Sequence, residues 1–319
     1  MKPLAWIAIA IYVVVYGVSV FHLNGAGSYP IEEAITILVL LGFGFPLLSW
    51  VVTIGVRPIE LEVRQPAAQS LVALMLTIGL GAYLIYMRTW ADGLVPDAAQ
   101  GGHADAHMAW VLALKLLSMV MLPFLAVQGF FNVRLQDFGF SGEAFRRLLG
   151  RDGLTVLVVG SAICAFQYFA GSAAAPFREG KYATDALQIG LPFAFAWLVL
   201  EVGLTEEFFF RALLQERLSA FLRSDIAGMI FMALIFGLVH APGIVLRGAG
   251  VVEGLGANPD LITAMAYTVV VQSVAAFMFG ILWLRTRNLL VVMLVHAATD
   301  LLSNASDIMG AIGIAPIAS

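Results

Sequence analysis

Charged side chains are scarce in this chain, and cysteine is almost absent. Lysine, arginine, aspartate and glutamate together make up 12% of its 319 residues, roughly half the share found in a soluble globular domain. The formal net charge is −4 and the pI is near 5.7, so there is no basic face for nucleic acid. The lone cysteine, Cys164, cannot close an intramolecular disulfide and reads as a small buried hydrophobe. No internal repeat, low-complexity tract or soluble domain is visible. What is present is apolar: 61% of the residues are hydrophobic and the mean hydropathy is +0.93. That composition belongs to a polytopic membrane protein.

A sliding window of about 19 residues places spans near 4–22, 35–56, 69–87, 108–131, 154–171, 187–214, 226–246, 262–284 and 289–306. The expected fold is therefore an all-α bundle of eight to nine transmembrane helices, one membrane domain covering 1–319. The first apolar run is longer than a secretory h-region and is read as a retained helix. Alternating the spans puts Lys2, Arg57, Arg64, Arg134, Arg146, Arg147, Arg151, Arg217, Arg223, Arg285 and Arg287 on one side. Only Arg88, Arg178, Lys181 and Arg247 fall on the other. The positive-inside bias then predicts a cytoplasmic amino terminus and an exterior carboxyl terminus in a bacterial-type plasma membrane.

Few ionisable residues fall within the spans: Lys115, Glu201, Glu206, Glu207, Arg211, His240, His296 and Asp300. In the segment TEEFFFRALL, Glu207 and Arg211 are four apart and share a helix face, with the glutamate in the favourable leading position. That pair can neutralise itself, which leaves Glu206 as the carboxylate without a local partner. In FGLVHAPG, Phe236 lies one turn before His240 and can pack on its imidazole, while Pro242 removes a backbone donor and is expected to loosen the helix end. In LVHAATDLL, His296 and Asp300 again share a face. Lys115 has no partner motif and reads as structural or snorkelling, and Glu201 carries no assignment. Taken singly, each polar residue has a plain packing role. Together they are costly in an apolar bundle without chemistry or ion traffic.

Glu206-Glu207-x-x-x-Arg211, Phe236-x-x-x-His240 and His296-x-x-x-Asp300, in order on membrane helices, resemble the three motifs of the CAAX protease and bacteriocin-processing family, which includes type II CAAX prenyl endopeptidases. The resemblance covers about 187–306, the expected catalytic core. It implies an eight-helix core with a cavity, in which Glu206 and His240 activate water and His296 and Asp300 stabilise the oxyanion. Glu207, Arg211 and Phe236 take orienting or structural roles. The family motif ends in asparagine or aspartate. An ionised Asp300 has no proton to donate, so its reading here is to orient His296 and keep it cationic.

The implied protein is an intramembrane endopeptidase without a cofactor, acting on a membrane-associated protein or a lipidated or prenylated peptide. A zinc version would use Glu206, His240 and His296 as ligands, although no HExxH is present. The GxGD of aspartyl intramembrane proteases is also missing. Gly17-Val18-Ser19 and Gly139-Phe140-Ser141 echo a serine motif without a partnered histidine. A proton-coupled transporter is the alternative from another class, with Gly42 to Pro46, GFGFP, as a broken helix. A non-catalytic, immunity-type binding protein is the third.

Overall fold

The computed structural model describes residues 3–25, 29–83, 93–94, 104–247, 255 and 259–317. Lys2, Arg88 and the side chain of Arg247, counted above among the loop charges, lie outside the described residues, as does the end of the span expected near 69–87. Among the described residues there is no strand. The longer helices are α1 (Pro3–Gly25), α2 (Ile31–Val52), α3 (Pro66–Ala82), α4 (Asp105–Phe131), α5 (Gly142–Leu148), α6 (Arg151–Ala170), α7 (Thr184–Leu222), α8 (Asp225–Arg247), α9 (Leu261–Thr286) and α10 (Leu289–Ala311). Eight of them are long and apolar enough to cross a membrane, and α3 is a shorter apolar helix. The chain is a multi-pass, all-α membrane protein.

The bundle inverts the soluble pattern, because lipid offers no reason to hide apolar side chains. Phe21, Phe43, Ile78, Leu125 and Leu157 point outward. The interior, built mainly by α7 to α10, holds Trp283 and Phe279 together with Glu207, Arg211, Gln215 and Arg217. Arg217, counted above as a loop charge, is fully buried. It stacks over Phe138, bonds Gln69 and donates to the Ala212 carbonyl. The loop reading failed because α7 is far longer than expected. Its 39 residues span about 58 Å at 1.5 Å per residue, well beyond the roughly 30 Å hydrocarbon core.

Several helices carry π-helical turns, which wind wider than an α-helix and recur at functional sites. Two of these have a proline cause. Proline clashes with the carbonyl four residues earlier, and Pro46 and Pro123 each follow such a turn, Leu38–Gly44 and Leu116–Met121. GFGFP is consequently not a break: it lies inside the continuous helix Ile31–Val52, which removes the feature that suggested a transporter. Pro242 likewise sits inside α8, which runs on to Arg247. Helix α7 has two π stretches, Val199–Leu204 and Glu207–Gln215, on either side of Glu206.

Two devices fix α10 against its neighbours. At its start, the Asn288 amide donates to the Ala144 carbonyl and to Asp152, while its oxygen caps Leu290 N–H. One turn before Glu207, Gly203 lies against the backbone of Met293, three residues before His296. A β-carbon at Gly203 would stand 2.6 Å from the Met293 carbonyl oxygen. Gly203→Ala is therefore expected to push α7 and α10 apart, lowering stability by about 1–3 kcal/mol. A melting temperature in detergent equal to that of the parent would contradict this.

Candidate active site

Helix α7 presents its two adjacent glutamates to different partners. Glu207, fully buried, faces inward: one oxygen lies 2.5 Å from His296 Nδ1 and the other 3.2 Å from Arg211 Nε. Arg211, also fully buried, sits over the Phe236 and Phe279 rings, with its guanidinium carbon 4.6 and 5.3 Å from their centroids. Ring faces are electron-rich and hold a cation in place of hydrogen-bond acceptors. The i, i+4 pairing of Glu207 with Arg211 persists although this stretch is π-helical.

Glu206 points elsewhere and meets His240, with its Oε2 3.9 Å from His240 Nε2. Both side chains are partly open, at 14% and 31% exposure, whereas Glu207 and Arg211 are sealed. His240 Nδ1 lies 2.6 Å from the Phe236 carbonyl oxygen. A carbonyl only accepts, so Nδ1 carries the proton and Nε2 is the atom turned toward Glu206. Phe236 also packs on the His240 ring at 4.6 Å between centroids. One aromatic side chain thus braces both Arg211 and His240.

His296 is clamped between Glu207 and Phe279, whose ring stacks on the imidazole at 4.3 Å. Its hydrogen-bond partner is Glu207, not Asp300, which corrects the orienting role given to Asp300 from the sequence. The reason is geometric. Two residues four apart on α10 point the same way, while α7 brings a carboxylate directly against the imidazole. Asp300 lies close enough to interact electrostatically with His296, Glu206, Lys115 and Glu201.

The structure thus brings Glu206 to His240 and Glu207 to both His296 and Arg211, with Asp300 one turn from His296. It adds Phe279, which the sequence did not single out because α9 carries no polar motif. Lys115, read as partnerless, bonds Glu201 at 2.9 Å, and Trp197 Nε1 holds the other Glu201 oxygen at 3.2 Å. Among the described residues, no group of three His, Cys, Asp or Glu side chains is placed to hold a metal ion. An arginine-lined cavity at Gly55, Arg57, Arg147 and Arg151 contains none of these site residues.

The chain is thus a polytopic helical membrane protein with a glutamate–histidine pair facing across its interior. Residues 188–302 match the family model described as type II CAAX prenyl endopeptidase Rce1-like. The match covers the catalytic-motif half of the bundle only, and it spans all three motifs. No curated protein and no solved structure matches the chain.

Proposed function

We propose that the protein is an intramembrane endopeptidase of the glutamate type, hydrolysing a peptide bond in a prenylated or otherwise lipidated peptide at the membrane. The observation that carries this reading is the division of labour between the two glutamates. Glu207 is consumed by Arg211 and His296. Glu206 faces His240 across 3.9 Å, too far for a direct hydrogen bond but close enough for one water to touch both at about 2.8 Å. The positive-inside bias of the loop charges supports an amino terminus in the cytoplasm of a bacterial-type plasma membrane.

In this mechanism Glu206 takes a proton from the water while the water oxygen bonds to the scissile carbonyl carbon. His240 Nε2 orients that water. Carrying a proton on each ring nitrogen, His296 donates from Nδ1 to the Glu207 carboxylate and from Nε2 to the developing oxyanion. As the C–N bond breaks, the proton held by Glu206 passes to the leaving amine, and the carbonyl re-forms. Asp300 adds negative potential near His296 without bonding it.

Asp300→Asn is expected to keep substantial activity, because Glu207 and not Asp300 holds His296. His296→Ala should lose roughly 10²–10³-fold in kcat, as for removal of an oxyanion donor. Steady-state cleavage of a prenylated CAAX peptide measures both, and an Asp300→Asn enzyme as inactive as His296→Ala would refute the assignment. The metal-free version is tested by elemental analysis of active protein. One tightly bound zinc per chain, lost together with activity on chelation, would replace it with the zinc version.

A further inference from the structure

We propose that Arg57, Arg147 and Arg151 form a binding site for the headgroup of an anionic phospholipid at one end of the bundle. The three arginines line a cavity of about 340 Å³ together with Gly55 and Asp152. The cavity shares no residue with the glutamate–histidine site, so the proposal stands apart from the peptidase reading. Its position follows from the helix ends around it. Helices α2 and α9 stop here, and α6 and α10 start here. Arg285 donates to the Thr53 carbonyl at 2.9 Å, and Ile59 N–H donates to the Thr286 carbonyl at 2.9 Å, which fixes the loop that carries Gly55 and Arg57. Asn288 ties the start of α10 to Asp152 at 2.8 Å. Each of these ties joins the ends of membrane-spanning helices, so the cavity lies where the spans leave the hydrocarbon.

The charges that line the cavity do not cancel. Arg147 grips Asp152 through Nε and Nη2 at 3.0 and 3.1 Å, and Asp152 also accepts from Asn288. That carboxylate is fully used. Arg57 and Arg151 make no side-chain hydrogen bond or ion pair with any of the described residues. Arg151 Nη1 instead lies against Gly55, where a β-carbon would stand 3.1 Å from it and where φ is +77°, so glycine is what lets the guanidinium lie against this turn. Two permanently charged forks therefore line one cavity without a counter-ion. An anion that accepts from both would remove their repulsion and satisfy their donors, and phosphate oxygens match guanidinium geometry.

The surroundings favour a lipid phosphate over a free one. Ile54 precedes Gly55, and Leu154 follows Arg151 by about one turn; they are 50% and 55% exposed. Helices α2 and α6 are neighbours, since the Phe45 and Phe166 rings meet at 5.7 Å between centroids. Acyl chains thus have an apolar surface beside the arginines. On the other side, at the corner between α5 and α6, Phe145 is 51% and Leu149 92% exposed. Exposed aromatic and aliphatic side chains set among arginines suit the boundary between headgroups and acyl chains. The choline cation of a zwitterionic lipid would meet the arginines unfavourably, so the site selects a headgroup of net negative charge.

The test is a titration of the purified protein, in neutral detergent, with phosphatidylglycerol, reading bound lipid per chain by native mass spectrometry. One lipid per chain should bind saturably, and phosphatidylcholine should bind several-fold more weakly. Arg57→Gln and Arg151→Gln should each weaken binding about tenfold, as for loss of a hydrogen bond to a charged group. Arg146→Gln removes the same charge from an exposed neighbour that does not line the cavity. At about 0.15 M salt it should change binding less than about twofold, because exposed charges are screened. Arg57 and Arg151 are exposed and lie in separate segments, so both variants should melt with the parent, and either one decides alone if the other does not fold. Equal losses in Arg146→Gln and the cavity variants would show diffuse attraction and overturn the proposal. So would binding without saturation, phosphatidylcholine held as tightly, or inorganic phosphate bound with the same affinity as the lipid.

Discussion

Replacing Glu206 by glutamine is expected to lower kcat by about 10²–10⁴-fold, the usual contribution of a positioned general base, with the melting temperature unchanged. Glutamine keeps the shape of the side chain and removes only its basic oxygen. Stability should survive because Glu206 makes no direct hydrogen bond to His240 at 3.9 Å and is partly open. The neighbouring Glu207→Gln supplies the contrast. It disturbs two buried contacts, with His296 and with Arg211, so it should reduce both stability and activity. Single-turnover cleavage and thermal melts on the same preparations separate the two. Near-parent activity in Glu206→Gln would end the proposal that this glutamate is the base.

Arg211→Ala should destabilise the protein by about 3–5 kcal/mol, the range found when one member of a buried ion pair is removed. The site explains the size of the effect. Glu207 would lose its permanent counter-charge in an interior with no water exposure, and the space between Phe236 and Phe279 would empty. Pairing the change with Glu207→Gln should recover part of the loss, because no uncompensated carboxylate then remains. A double-mutant cycle read from detergent melts measures the coupling. Additive losses would show that Arg211 acts through packing alone.

Much of this architecture is legible before any coordinate is known. Lipid requires backbone groups to be satisfied within each segment, so long apolar runs can only be helices, and spans and fold class follow from hydropathy. Each motif pair is likewise local: Glu207 with Arg211, and Phe236 with His240, are one turn apart on one helix. The same rule misjudged Arg217, because hydropathy finds the apolar part of α7 and not the buried continuation that holds this cation among Gln69, Phe138 and Ala212.

The sequence by itself determined the membrane class, the helices and the set of titratable residues within them, because these depend on composition and on contacts within a turn. Which of those residues meet across helices was decided only by the tertiary structure. Glu207 rather than Asp300 holds His296, Phe279 closes the other side of its ring, and Glu201 claims Lys115. These pairings join residues distant in the chain, and they depend on helix phase. The π turns of α7 reset that phase around Glu206, and no α-helical periodicity read from sequence contains such a shift.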